Sequence, residues 1–379
     1  MSQPGSSSGD AADLPLGATV RLAPMRRRYV SVHPCPDRVE ARPATICDAP
    51  QVSREASPHE GRVRVYPRRV SSEAPDSQRP SFVAVAVLTW RGYSATNDCL
   101  ESLRRSTSWP LPVAVIDNGS GTGEGLRLAE EFGGPVTAVT LPANLGVPGG
   151  YNRGLQWARE VGASHVLLLN NDTICSDPRM IERLVAATAP DVAVVGPLVE
   201  RPDGRLQTAG GVLRWRTARA RPLRRNQIPR MGGPYEVDWV DGSCMLISLR
   251  AARHVGGLAA EYFMYWEEVD WCVRARRAGY RCLVEPRASI THIGSMSVTP
   301  QRQLRQWMRN KLLFMRRNAG RRDNATALLT LILLTVPSQI ARQGLRPRRW
   351  IRVVSAAAAA LTWNLADAYR RRSWLIGDR

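Results

Sequence analysis

The 379-residue sequence has no cysteine pair spaced as CxxC. Its seven cysteines, Cys35, Cys47, Cys99, Cys175, Cys244, Cys272 and Cys282, are odd in number and scattered. This speaks against both a disulfide framework and a zinc site and fits a reducing cytoplasm. The N-terminal stretch lacks the apolar core of a secretory signal, so nothing there argues for export. Long hydrophobic runs are missing too. The strongest, "ATALLTLILLTV" from Ala325 to Val336, stops at Pro337, short of the ~20 residues a spanning helix needs. No helix-turn-helix, zinc-finger or RNA-recognition pattern is present, which sets nucleic acid aside as a partner. Glycines 119, 121, 123 and 125 do not form GxGxxG, so a dinucleotide fingerprint is poorly supported.

What the chain does have is charge, and its location matters more than its size. The net charge is +20, and from residue 301 onward 17 Lys and Arg stand against 3 Asp and Glu, about +14 in that region alone. Such a block seeks polyanions. Within it, Ala325–Val336 has arginines on both sides and reads either as a helix lying in an anionic membrane interface or as one buried in the protein. Residues 1–80 are rich in Pro, Ser and Arg without a sustained apolar period and read as a disordered leader. The region between, 81–300, is nearly neutral, and the 44% hydrophobic content suffices for a sizeable core.

That middle region alternates. "SFVAVAVLTW" is a continuous apolar, β-branched run, as in a strand buried on both faces. A helical stretch "SATNDCLESLRRST" follows, then "PVAVID", "GLRLAEEF", "PVTAVTL", "GGYNRGLQWAREVG", "HVLLLN", "PRMIERLVAATA" and "VAVVG" as strands and helices in turn. This predicts an α/β fold with a mostly parallel sheet and helices on both faces, followed by a basic helical C-terminal region at 301–379. Ligands of such sheets bind beyond the carboxyl ends of the strands.

Those ends are polar. Asp117 opens a glycine-rich loop and is placed either to bind a base or ribose or to cap the next helix. Around Asn144, Gly150 and Asn152, glycines next to a helix N-terminus suit either close approach of a ligand or a plain loop and cap. Asp172, after Asn170 and Asn171, offers hard oxygen donors for magnesium or manganese on a diphosphate, or forms a turn. "MYWEEVDWCVRARRAGY" places Glu267, Glu268 and Asp270 within four positions. Acids early in a helix with arginines later on also merely suit its dipole. Trp266 and its aromatic neighbours fit a sugar ring or a core. Asp241, in a loop leading to a strand, is a candidate for the acceptor side. The basic stretch Arg214–Arg230 looks like an insertion, able to clamp a lipid diphosphate or to be a plain loop.

In order, "VAVLTW", "CLESL", "VIDNGS", "NLGVPGGYNRG", "LLLNNDT", "VDGSCMLI", "FMYWEEVDWCVRARRAGYR" and "THIGS" resemble the family-2 inverting glycosyltransferases of the GT-A fold, a Rossmann-like sheet, in the rhamnosyl- and galactofuranosyltransferase branch. The resemblance covers residues 82–318. It implies that Asp117 contacts the base, with Thr89 and Arg91 nearby, and that Asp172 and His292 hold a divalent metal (Mg or Mn). It further implies that Glu268 is the general base, with Glu267 and Asp270 shaping the donor and acceptor pockets. Two positions depart from the family pattern: Asn170 stands for the first acid of the metal element, and Glu268 stands where Asp is usual.

Inverting transfer needs one carboxylate on the acceptor hydroxyl and a cation on the departing diphosphate. Crowded acids also raise one another's proton affinity. The expected donor is a nucleoside diphosphate sugar of the dTDP-rhamnose or UDP-sugar type. The expected acceptor is a saccharide or polyprenyl-linked glycolipid, met on the cytoplasmic side of the membrane during cell-envelope glycan assembly. A nucleotidyltransferase would carry a phosphate loop after the first strand, where "TWRGYSATND" does not match. A non-catalytic membrane adaptor is the third reading.

Overall fold

A computed structural model describes residues 82–215, 219–230, 232–294, 299–342 and 350–363. The leader assigned to residues 1–80 lies outside them. The expected alternation is present in β1 (Val83–Thr89), α1 (Tyr93–Arg104), β2 (Val113–Asp117), α2 (Glu124–Phe132), β3 (Val136–Thr140), α3 (Gly146–Glu160) and β4 (His165–Asn170). There follow β5 (Thr173–Ile174), α4 (Met180–Ala186), β6 (Val192–Glu200), β7 (Leu206–Thr208), β8 (Gly211–Arg214), β9 (Arg219–Pro222), β10 (Tyr235–Glu236) and β11 (Cys244–Ser248). The chain continues through α5 (Leu249–Val255), α6 (Glu267–Arg277), β12 (Arg281–His292), α7 (Pro300–Asn318), α8 (Arg321–Thr330), a π-helical turn at Leu331–Thr335 and α9 (Val336–Arg342).

The main sheet runs β10-β12-β6-β11-β4-β1-β2-β3, with β5 on β12 and β7 on β6. β1 pairs in parallel with β2 and β4, as do β2 with β3 and β6 with β12. β11 is antiparallel between β4 and β6. It inserts the Asp241 loop among the strand ends.

Successive side chains of a strand point to opposite faces, so each face carries its own core. On one, Ala84, Ala86 and Leu88 of β1 pack with Tyr151 and Leu155 of α3 and with Val269 and Trp271 of α6. On the other, Val83, Val85 and Val87 pack with Leu100 and Leu103 of α1 and with Met180 and Leu184 of α4. Close packing of α3 explains a glycine: a Cβ on Gly150 would lie 2.2 Å from Leu88 Cδ1.

α7 begins with Thr299 as cap, its hydroxyl accepting from Arg302 N, and with Pro300 in the first turn, where a missing N–H costs nothing. It joins the first core through Leu313, Phe314 and Met315. Its other side forms a small core of Met308 and Leu312 with Leu331, Val353 and Ala356. In Ala325–Val336 the two alternatives divide. Leu331 is buried, while Leu329, Ile332, Leu333 and Leu334 are exposed. Among the described residues no helix is long and apolar enough to cross a membrane. The basic stretch from Arg214 forms a hairpin of β8 and β9 and a single 3₁₀ turn at Arg225–Gln227.

Candidate active site

At the carboxyl end of the sheet, Thr89 closes β1 directly opposite Asp117 of β2. Both Asp117 oxygens accept from Ser120, one from its backbone N–H at 2.9 Å and one from its hydroxyl at 2.8 Å. Thr89 donates to Glu124 Oε1 at 2.9 Å, and Arg91 Nε donates to Ser120 O at 3.4 Å. Asn144 Oδ1 accepts from Gly146 N at 2.9 Å, just ahead of α3, whose cap position is Leu145. Thr89, Arg91 and Asp117 therefore lie together at one corner of the cleft, near the head of α3.

Asn152 and Gly150 do not join them. Asn152 spends its amide on Leu258, donating to the carbonyl and accepting from the N–H, both at 2.8 Å. The Gly150 position is filled by Leu88, as above. Both residues position α3 rather than offer a surface to a nucleotide.

The neighbouring strand ends carry the other groups. Tyr151 donates its hydroxyl to Asn170 Oδ1 at 2.7 Å and lies 3.3 Å from Gly242 O, and Asn170 N donates to Ser243 O at 3.0 Å. This ties the end of β4 to the loop before β11. In that loop Asp241 Oδ1 accepts from Ser243 N at 2.9 Å and from its hydroxyl at 2.6 Å. A Cβ added to Gly242 would touch Glu268 at 3.5 Å, so the acid helix rests on the same loop. Two residues past Asn170, Asp172 Oδ1 lies 3.3 Å from His292 Nε2, and His292 Nδ1 is 3.0 Å from Gln207 Nε2. β5 brings them together by pairing Thr173 with His292.

Glu267 and Glu268 open α6. Each has an Oε2 atom shielded from solvent with no hydrogen-bond partner among the described residues. A buried unpaired carboxylate oxygen is costly, and a hydroxyl-bearing ligand would satisfy it. Burial, followed by the charge of Glu268, pushes Glu267 well above the usual carboxylate range. Burial and the charge of Asp241 push Glu268 up to about 7 against the opposing pull of the helix N-terminus. At His292 burial lowers the imidazole pKa, but the hydrogen bond and charge of Asp172, with Asp241, outweigh it and the net shift is upward. The charge of Asp241 raises both Glu268 and His292, and Gly242 beside it packs on Glu268.

Asp270 is elsewhere. Two positions along an α-helix turn a side chain by about 200° from Glu268. Its carboxylate is fully buried, accepting from Tyr262 Oη at 3.0 Å, Asn318 Nδ2 at 2.7 Å and Arg274 Nε at 2.8 Å. It fastens α6 to α7 and does not shape a pocket. Trp266 is also core, 5.0 Å from Phe314 and 5.9 Å from Trp307 between ring centres. Its aromatic surface is consumed by packing.

Residues that sequence reasoning passed over hold the acids in place. Phe263, Tyr265 and Trp266 all have positive φ, at 61°, 68° and 76°, which costs on the order of 1 to 3 kcal/mol each. The Asn310 amide of α7 offsets this by donating to the carbonyls of Tyr262 and Met264 at 2.7 Å and of Tyr265 at 2.9 Å, helped by Gln306 to Tyr262 O at 2.6 Å. From the other side Val147 N donates to Phe263 O at 2.7 Å. The available signal was a polar Asn310 interrupting the apolar face of "QWMRNKLLF".

Residues 80–312 match the family described as "Glycosyltransferase like family 2". The chain belongs to that family. It is 29% identical over 223 residues to an N-acetylglucosaminyl-diphospho-decaprenol L-rhamnosyltransferase of Mycobacterium tuberculosis, covering 51% of this chain and 70% of the relative. It is 28% identical over 146 residues to the low-salt glycan biosynthesis hexosyltransferase Agl10 of Haloferax volcanii, covering 35% and 44%. Among solved structures, GalNAc-T7 with UDP, GalNAc and Mn2+ aligns with a TM-score of 0.51 at 15% identity, covering 63% of this chain and 48% of that one. The chain thus spans about half the length of GalNAc-T7. The mannosyltransferase PcManGT of Pyrobaculum calidifontis, in complex with GDP-Man and Mn2+, aligns at 0.50 and 16% identity, covering 78% and 90%. Both are GT-A glycosyltransferases in fold, and the family 2 domain described here shares that fold.

A metal fits the donor set of this glycosyltransferase in part. Among the described residues there is no group of three His, Cys, Asp or Glu side chains suited to a metal ion. Asp172 and His292 nevertheless supply two facing donors of the oxygen and imidazole kinds that bind Mn2+ or Mg2+, leaving other positions to substrate oxygens.

Proposed function

We propose that this family 2 glycosyltransferase moves a sugar with inversion from a nucleoside diphosphate sugar, of the dTDP-rhamnose or UDP-sugar type, to a polyprenyl-diphosphate-linked saccharide. The observation that carries the reading is the Glu268 carboxylate. It is shielded, one oxygen unpaired, held near pKa 7, and shares Asp241 with the Asp172–His292 pair. The mycobacterial rhamnosyltransferase supports the acceptor class and cell-envelope glycan assembly as the setting.

Thr89, Arg91 and Asp117 hold the nucleotide, with Asn144 beside them. Asp172 and His292 hold a divalent cation, which when bound neutralises charge on the departing diphosphate. Glu268 takes the proton of the acceptor hydroxyl. The hydroxyl oxygen bonds to the anomeric carbon from the face opposite the diphosphate, which leaves with the bonding electron pair. Glu267 lies beside Glu268, its proton affinity raised by burial and by that neighbour's charge. The apolar face of Leu329, Ile332, Leu333 and Leu334, in a strongly basic region, suits the surface of an anionic membrane in which such an acceptor resides. The cytoplasmic face is the proposed location.

Glu268→Gln tests the role. Nucleotide affinity should persist while sugar transfer falls by roughly a hundredfold or more. Turnover equal to the parent enzyme would refute it.

A further inference from the structure

Beside the metal-binding pair lies a cavity of about 630 Å³ that the proposed mechanism does not use. It is lined by Arg205 and Gln207 from one segment and by Arg221, Arg224 and Arg225 from the β9 hairpin arm. Arg205 faces Asp203 at 3.7 Å, and Arg225 contacts Glu200 at 2.9 Å. Four guanidinium groups against two carboxylates leave this cavity positive. Gln207 of its lining is the residue bonded to His292. The sheet register explains the connection: β7 pairs with the end of β6, where Glu200 lies opposite Thr291, the residue before His292.

We propose that this arginine cavity takes the diphosphate of the lipid-linked acceptor, with Arg221 and Arg224 as its principal ligands. The inference rests on the acceptor class given above and adds the place and residues of its recognition. Topology separates this anion from the donor's. The proposed nucleotide corner sits on β1 and β2, whereas the cavity is lined from β9 and from β7, and β7 pairs with β6, which β4 and β11 separate from β1. An anion held there lies on the His292 side of the sheet, away from the β1–β2 corner. Guanidinium pairs suit diphosphate oxygens because their planar forks bond two at once. Both arginine side chains are exposed, while Leu223 between them anchors the arm in the first core, so replacing the arginines removes no core contact.

The test compares the parent protein, Arg221→Ala/Arg224→Ala and Arg221→Lys/Arg224→Lys, titrated with farnesyl diphosphate, farnesol, inorganic diphosphate and a nucleoside diphosphate with Mn2+. The parent should bind farnesyl diphosphate but not farnesol, and the alanine pair should weaken this at least about tenfold, with the lysine pair in between. Nucleoside diphosphate affinity should stay within about twofold, which also reports correct folding. Unchanged farnesyl diphosphate binding in the alanine pair would overturn the proposal, as would a parallel loss of nucleotide affinity, which would give the arginines to the donor. Inorganic diphosphate binding as tightly as farnesyl diphosphate would make the ligand a free anion and also overturn it. These outcomes are independent of the base assignment: loss of transfer in Glu268→Gln with intact farnesyl diphosphate binding is expected. Failure of the parent to bind farnesyl diphosphate would sink the acceptor site and leave Glu268 untouched.

Discussion

Asn310 donates its side-chain amide to the Tyr265 carbonyl at 2.9 Å, so a helix of the basic C-terminal region holds the left-handed turn from which α6 and its acids start. The turn is strained, and the strain persists because buried donors on α7 surround it. Asn310→Ala leaves three carbonyls without that donor. Losing a buried partner costs about 1 to 3 kcal/mol, so the melting temperature should fall by about 5 °C. Because the acids lose their anchor, kcat should fall more than KM rises, and steady-state kinetics beside thermal unfolding would show this.

The same turn is held from below by Gly146. Its φ is +73°, and an added Cβ would sit 2.3 Å from Phe263 O. Gly146→Ala combines a disfavoured backbone with a clash against main chain, so a loss of more than about 2 kcal/mol is expected. Chemical denaturation should show a lower midpoint, with activity reduced even in the fraction that stays folded.

With Glu268 as the proposed base, its ionisation should govern the pH dependence. A base acts only when deprotonated, and burial with Asp241 raises this carboxyl to about 7. The rate under saturating substrate should therefore climb with pH below about 7 and level off above it. Raising the folded-state pKa has the reverse effect on stability: ionising Glu268 opposes folding as pH rises toward that value. A rate flat from pH 5 to 8 would remove Glu268 from the role.

Asp270 offers the contrasting case, an acid of the same motif placed in the core. Asp270→Ala strips the partner from Arg274 and the acceptor from Tyr262 and Asn318, and breaking a buried charge pair typically costs about 3 to 5 kcal/mol. Stability should fall steeply while the pH midpoint of the residual rate stays where Glu268 puts it. A moved midpoint would give Asp270 a part in the chemistry.

Asp172→Asn keeps the shape of the metal element but removes its charge. Activity should then require at least about tenfold more Mn2+ than the parent, and a chelator should abolish transfer in both. Titrating activity against free Mn2+ decides it, since equal requirements would detach Asp172 from the metal.

The alternation of apolar runs and helical periods determined β1 to β4 and β6 and the faces they bury, because burial on both sides demands unbroken Val, Ala and Leu in strands such as "VAVAVLT". The ordered motifs likewise marked the corner of Thr89 and Asp117 and the acidic turn, since polar residues at strand ends carry a local signal. Whether an acid faces a cleft or the core is not local. Glu268 and Asp270 stand two residues apart in one motif, and only the packing of α7 against α6 sends one to the site and the other into a buried network. The Asp172–His292 contact and the Gln207 link to the arginine cavity depend on strands distant in sequence pairing in register. Such juxtapositions come from tertiary packing, which no periodicity along the chain encodes.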